Sequence, residues 1–204
     1  GSGLCEMLTG FLDRGDGDLA ASEEHFRRGM EIGRSRSDAT YLAAGCLSGL
    51  GSIALDRGDL DTARQLKEES LLLYEKLGDL WIIGLILWGI VQVCIAQRDD
   101  ARAKSALEQW GRTTRDLGNR WMLPYILECH ASLAISAGRY EHAAMVFGAA
   151  EAASEFSATE FSLSEQALHE SSLAALKASL PEKNLQVAWE LGRRTPPWDV
   201  VEAA

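Results

Sequence analysis

The chain has 204 residues, of which 47% are hydrophobic and 25% are charged, and its formal net charge is −10. A chain of this length and composition can bury a substantial core, which excludes an intrinsically disordered protein. Its excess of carboxylates repels phosphate backbones, so we predict that this chain makes no direct contact with nucleic acid.

The beginning of the chain lacks the basic stretch and apolar core of a secretory signal. The longest apolar run, Leu80–Ala96, is interrupted by two glycines and a glutamine and is short for a membrane span. These features predict a buried helix, no membrane partner and a cytoplasmic location. Residues 1–3 resemble an expression-tag remnant, and the missing initiating Met predicts that the chain is a piece of a longer protein.

Short turns divide the chain at nearly even intervals. One series of turns carries arginines that follow one another after 41 to 43 residues, at Arg14, Arg57, Arg98 and Arg139. A second series, LGDLW at Leu77–Trp81 and LGNRW at Leu117–Trp121, repeats after 40 residues. Glycine is typical of helix ends, and Asp or Asn of helix starts. Two interleaved series with one period predict a repeat of two helices.

We predict an all-α chain whose helices follow these turns. The four hairpins pair 4–14 with 18–34, 38–57 with 60–77, 79–97 with 100–117, and 120–137 with 140–156. A polar stretch, 157–162, leads to a terminal pair at 163–180 and 181–193, followed by the tail 198–204. The predicted domains are therefore the hairpins of 4–156 and a capping helix pair with its tail at 163–204.

Small residues mark where the helices of a hairpin approach each other. Ala143, Phe147 and Ala150 form the pattern A-x3-F-x2-A, which recurs at Ser22, Phe26 and Gly29 and more loosely from Ala63 and Ala103. Gly10 and Gly51 each precede the first small residue of the next helix by twelve positions. This arrangement resembles tetratricopeptide repeats, which implies a right-handed superhelix of antiparallel hairpins, an α-solenoid of about four to five hairpins. The period of 40 also overlaps the range of HEAT repeats.

The sequences GRYEHAAMVFGAAEA at 138–152 and SLAALKASLPEKNLQVAWELGRR at 172–194 carry a further resemblance. Together with the two LGxxW turns, they resemble the C-terminal helical-repeat region of large bacterial LuxR-type transcriptional regulators and related signalling ATPases. The resemblance implies a regulatory arm that binds an inducer or a protein partner. The chain contains neither a GxxxxGK[ST] phosphate loop nor a helix-turn-helix pattern. The sequence therefore leaves open which effector domain the parent protein carries.

No catalytic constellation stands out, so we predict no enzyme, no cofactor and no metal site. The four histidines are dispersed without the spacing of a zinc site. Cys129 and His130 are adjacent, but neighbours on a helix point about 100° apart and make a poor nucleophile–base pair. The four cysteines form no CxxC, and the three that lie in apolar runs are typical of small core residues.

The remaining candidate is a groove lined by the first helix of each hairpin. The repeat register places on its concave face Ser48, Ser52 and Asp56, then Trp88, Gln92 and Ile95, then Tyr125, Glu128 and Ser132. Mixed aromatic and polar side chains suit recognition of a peptide or small molecule. The alternative for Trp88 is a place in the core, while Trp81 and Trp121 are interpreted as wedges between hairpins, and Trp110 and Trp189 as core.

Two functional hypotheses follow. The first is a non-enzymatic arm of a multidomain regulator that binds an inducer, a peptide or a protein in this groove. It rests on the helix at Leu80–Ala96, which is apolar almost all round and is therefore either central in the fold or covered by a partner. The second is a self-association module, which implies a homodimer.

Overall fold

The computed structural model describes residues 2–33, 39–118, 120–155 and 163–202, and every regular element within these ranges is an α-helix. The helices are α1 (Ser2–Gly15), α2 (Leu19–Gly33), α3 (Ala39–Asp56), α4 (Leu60–Leu77), α5 (Leu80–Ala96), α6 (Asp100–Asp116), α7 (Leu123–Ser136), α8 (Tyr140–Ser154), α9 (Leu163–Ser179), α10 (Glu182–Arg194) and α11 (Pro197–Glu202). Residues 156–162, which include the predicted polar stretch, lie outside the described residues, as do Gly1 and 203–204. The predicted all-α class is confirmed, and helix ends agree with the predicted ones to within a few residues.

The chain forms two compact units, Gly1–Arg102 and Ala103–Ala204. In the first unit, neighbouring helices pack in succession from α1 to α5, and α3 also contacts α1 and α5. In the second unit, α7 packs against α8, and α9, α10 and α11 all contact α8. Ser2 and Gly3, which the sequence places in a tag remnant, belong to α1. None of the described helices is long and apolar enough to span a membrane.

The turn residues explain the period of the repeat. Positive φ angles occur at Gly17, Gly58, Arg98 and Gly138, at steps of 40 or 41 residues. The equivalent of Gly58 is therefore Arg98, and the four arginines are not equivalent: Arg14 lies three residues before its turn position, Arg57 one before it, Arg98 at it and Arg139 one after it. Arg98 takes the left-handed conformation, at φ 57°, that glycine adopts at the other turns without steric cost. Asp59 and Asp99 follow these positions and cap α4 and α6, since their carboxylates accept from the amides of Thr62 and Arg102.

The predicted contacts between small residues are confirmed in the first unit. The Ser22 hydroxyl donates to the Gly10 carbonyl at 2.7 Å, so α1 and α2 touch at this point. A Cβ atom on Gly51 would lie 3.2 Å from the Ala63 carbonyl oxygen, which brings α3 equally close to α4. Phe26 of α2 lies against Gly10 of α1 and Gly49 of α3 and is fully buried. Small residues therefore set the approach of the helices and the aromatic fills the gap, as the pattern predicts.

In the second unit the aromatic slot of the repeat is filled by Phe147, which is 1% exposed. Its ring stacks on Trp189 of α10 at 5.8 Å between centroids. The helices α8 and α10 meet through Gly148 and Gly192, with no side chain between them. The tail packs back on this core, where Val200 of α11 is fully buried.

The tryptophans divide into buried and exposed classes. Trp110 is 0% exposed and donates to the Met122 sulfur at 3.4 Å, which confirms its core assignment. Trp189 is partly buried against the same core as Phe147. Trp81 and Trp121, predicted as wedges between hairpins, are 44% and 39% exposed. The Trp121 ring contacts that of Tyr125, and the role of both residues as wedges stays a prediction.

Candidate functional site

One stripe of α5 reaches the surface between its ends. Its half-buried residues are Ile82, Leu85, Trp88, Gln92 and Ile95, spaced three or four residues apart, whereas both neighbouring faces are buried. The predicted groove residues of this helix belong to this stripe. Trp88 is neither fully buried nor fully exposed, and α5 carries no charged residue. A half-buried aromatic ring and a half-buried amide therefore lie on an otherwise apolar helix face, which we call the α5 stripe.

Lys67 lies beside the two predicted serines of α3. Its ammonium Nζ donates to the Ser52 hydroxyl at 2.7 Å and to the Ser48 hydroxyl at 3.3 Å. The Ser52 hydroxyl in turn donates to the Ser48 carbonyl oxygen at 3.1 Å. Lys67 is 5% exposed and Ser52 8%, while Ser48 is half-buried. We call these three residues the Lys67 cluster, in which a buried cation is held by two hydroxyl groups.

Two glycines make room for the lysine stem. A Cβ atom on Gly51 of α3 would lie 3.1 Å from the Lys67 Cγ atom. A Cβ atom on Gly89 of α5 would lie 2.9 Å from Cε and 3.0 Å from Nζ. The side chain therefore runs from α4 between α3 and α5, and Gln92 lies one turn after Gly89 on α5. The cluster and the α5 stripe are adjacent parts of the first unit.

Burial lowers the pKa of Lys67 from its ordinary value of 10.5 to about 7, with a smaller effect in the same direction from Arg14. Asp56 opposes this change, but its carboxylate is engaged by the Arg14 guanidinium at 2.6 Å. No charged side chain comes from α5. Among the described residues, no carboxylate therefore forms an ion pair with the Lys67 ammonium. Such a charge is costly in the interior unless it is paired or neutralised.

The position of Lys67 in the repeat is the signal that sequence reasoning missed. It follows the small residue Ala63 by four residues, as Phe26 follows Ser22 and Phe147 follows Ala143. The equivalent residue of α6 is Leu107, and all three apolar residues are at most 1% exposed. Lysine therefore occupies a slot that the other hairpins fill with an apolar core residue. Packing alone therefore does not explain why a lysine occupies this position.

The backbone of α3 limits the chemistry that the cluster can support. A lysine with a pKa near neutrality can act as the general base that activates a neighbouring serine hydroxyl as a nucleophile. Ser48 and Ser52 lie inside a helix, however, where backbone N–H groups are bonded to carbonyls one turn earlier. The backbone of this helix therefore offers no free N–H group to stabilise an oxyanion. The Lys67 ammonium and the Ser48 hydroxyl can instead donate hydrogen bonds to an anion, whereas the Ser52 hydroxyl already donates to the Ser48 carbonyl oxygen.

The predicted residues of α7 lie in the second unit and have other partners. Tyr125 is 4% exposed and its ring contacts that of Trp121 at 5.4 Å between centroids. The Glu128 carboxylate pairs with His169 of α9 at 3.0 Å, and this hydrogen bond raises the pKa of His169. Ser132 is half-buried one turn after Glu128. Most of Tyr125 and the charge of Glu128 are thus engaged within the chain.

A cavity of about 700 Å³ opens elsewhere in the second unit. It is lined by Trp121, Leu123, Ala152, Ala153, Pro197, Thr195, Arg120 and Arg193. Arg193 is held by the carboxylates of Glu151 at 2.5 Å and Glu155 at 2.8 Å, so its charge is compensated. Within the described residues, no three His, Cys, Asp or Glu side chains are grouped so as to hold a metal ion.

Comparison with protein-family models, with curated proteins and with solved structures finds no match to this chain.

Proposed function

We propose that this chain is a non-enzymatic binding arm of a multidomain, bacterial LuxR-type transcriptional regulator, which recognises an inducer, a peptide or a protein on the first helices of its hairpins. The observation that carries the proposal is the α5 stripe, in which Trp88 and Gln92 are accessible on a helix without any charge. A rigid aromatic surface with a few polar groups is the composition typical of recognition sites.

The internal contacts support a tetratricopeptide-like α-solenoid as the framework of this arm. Gly10 meets Ser22, and Gly51 meets Ala63, at equivalent positions of two successive hairpins. Equivalent contacts imply a common hairpin geometry, and stacking such units produces the right-handed superhelix predicted from the repeat. The first helices α3 and α5 would then share one face, to which Ser48 and the α5 stripe contribute half-buried side chains, whereas Ser52 is buried beneath it.

Trp88→Ala is expected to weaken ligand binding at least about 30-fold, since aromatic residues at the centre of a binding surface contribute about 2 kcal/mol or more. The ligand is to be found by a thermal-shift screen of the chain against peptides, nucleotides, sugars and small metabolites. Binding to the native state alone raises the unfolding midpoint by mass action. Affinity is then measured by calorimetry well below the midpoint of each variant.

The matched control is Trp81→Ala, which removes the 44% exposed indole at the start of the same helix. It is expected to leave affinity unchanged. Circular dichroism checks that both variants keep their helix content. Equal affinity of the Trp88→Ala variant and the original chain would contradict a binding role for the α5 stripe.

Self-association is the second candidate, and one observation favours it. The outer face of α1 exposes a continuous apolar stripe, formed by Leu4 at 44%, Leu8 at 53%, Phe11 at 38% and Leu12 at 69% exposed. Apolar stripes of this kind mark protein contact surfaces. Light scattering on the samples of the screen separates the two candidates. A concentration-dependent dimer without any ligand-induced shift would favour association, and a monomer that binds a ligand would favour the sensor arm.

A further inference from the structure

We propose that the Lys67 cluster is the carboxylate-binding subsite of the recognition face, so that the ligand of this chain carries a carboxylate. This inference rests on the proposed function and names the chemistry of its ligand. The geometry supplies the Lys67 ammonium and, 3.3 Å from Nζ, the Ser48 hydroxyl, whereas the Ser52 hydroxyl already donates to the Ser48 carbonyl oxygen. The ammonium and the Ser48 hydroxyl can both donate to a carboxylate, and charge-assisted hydrogen bonds are stronger than those between neutral groups.

The ammonium has one more hydrogen-bond donor than the two serines use. A protonated lysine has three N–H donors, and the two serine hydroxyls account for two of them. The longer of the two bonds goes to Ser48, which is half-buried, whereas Ser52 is buried. The side of the cluster at Ser48 is therefore the one from which a carboxylate would reach the third donor of Nζ.

The charges around the cluster favour an external anion. Arg14 and Asp56 compensate each other, and Cys94 of α5 stays neutral because burial raises its thiol pKa to about 11. On α4 itself, Arg64 precedes Lys67 by one turn and Glu68 follows it, and Glu68 is exposed to solvent. The buried ammonium therefore has no internal anion to displace. An arriving carboxylate would pair a charge that otherwise costs free energy to bury.

Nuclear magnetic resonance of ¹³C-lysine-labelled protein tests this subsite. The Cε resonance of Lys67 is assigned with Lys67→Met and titrated with pH, alone and with probes. The probes are N-acetylphenylalanine and its carboxamide, and a hexapeptide with a free C-terminus and its amidated twin. Both free acids, or one of them, are expected to raise the Lys67 pKa by at least about one unit, because the anion stabilises the ammonium. The neutral twins are expected to leave it unchanged.

Affinity for the carboxylate probe is expected to fall about tenfold per pH unit above pH 7, because only protonated Lys67 binds it. Lys67→Met abolishes this pH dependence and most of the affinity. Lys76→Met, which removes an exposed lysine from the last turn of the same helix, retains both. Binding of the small acid alone identifies a metabolite as the source of the carboxylate, and binding of the peptide alone identifies a peptide terminus. Either result supports the subsite.

Two results would overturn the inference. One is a Lys67 titration that neither free acid changes. The other is equal affinity of a screened ligand for the original chain and for Lys67→Met. The second result, with loss of binding in Trp88→Ala, would leave the proposed function intact. If the free acids bind at Lys67 while Trp88→Ala retains full affinity, the subsite stands and the role of the α5 stripe fails.

Discussion

Lys67→Met is expected to stabilise the protein by up to about 5 kcal/mol at pH 6. The lysine occupies an apolar slot and its pKa falls from 10.5 in ordinary surroundings to about 7. Each unit of pKa difference corresponds to about 1.4 kcal/mol of free energy, so protonating this group in the folded state is costly. Methionine has a similar length, no charge and enough flexibility to fill the same space.

The sign of the pH dependence follows from the same difference. Between pH 7 and 10.5 the unfolded chain binds more protons at Lys67 than the folded chain does. The free energy of unfolding of the original chain therefore rises with pH across this window. Below pH 7, Lys67 is protonated in both states, so it contributes nothing to the slope and the full cost of its buried charge is present. Lys67→Met removes this part of the slope. The difference in stability between the two proteins should be largest at or below pH 7 and shrink toward pH 10.

Urea denaturation at pH 6, 8 and 9.5 measures this difference. Lys76→Met is the control for loss of a lysine, because Lys76 is exposed at the end of the same helix. It should change the stability by less than about 0.5 kcal/mol at each pH. A Lys67→Met variant that is less stable than the original chain at pH 6 would mean that the two serine hydrogen bonds outweigh the cost of the buried charge.

The helices could be predicted because their signals are local. Asp59 and Asp79 cap helices through an amide three residues on, and Gly78 ends α4 with a left-handed conformation. The contacts between small residues were also predictable, since Gly10 and Ser22, like Gly51 and Ala63, are twelve residues apart. Local capping chemistry and a repeated spacing are therefore sufficient for the all-α class and its hairpins.

The Lys67 cluster was not predicted, because its burial depends on residues distant in the chain. Gly51 and Gly89, from two different helices, together make the space in which the lysine lies. The prediction did place Ser48 and Ser52 on the recognition face, but a charged residue on a second helix is ordinarily assigned to solvent. The partner of Glu128 was not predicted for the same reason, since His169 lies 41 residues away on α9.

Gly192→Ala is expected to destabilise the second unit by about 3 kcal/mol or more. An added Cβ atom would lie 1.8 Å from the carbonyl oxygen of Met145 and 2.6 Å from its carbonyl carbon. These are backbone atoms of α8, which cannot rotate away as a side chain can. The helices must therefore separate, and separation also disrupts the stacking of Trp189 on Phe147. Forced overpacking of a well-packed interior is costly in itself, and the lost contacts add to it.

Gly111→Ala is the matched control in the same unit. Its added Cβ atom would lie 3.6 Å from Cζ3 of Trp198, an ordinary van der Waals distance. Because alanine is the better helix former, this variant should be neutral or more stable by up to about 1 kcal/mol. Urea denaturation measures both variants, and amide hydrogen exchange in α10 reports whether that helix has left α8. Equal stability of Gly192→Ala and the original chain would contradict direct backbone contact between these helices.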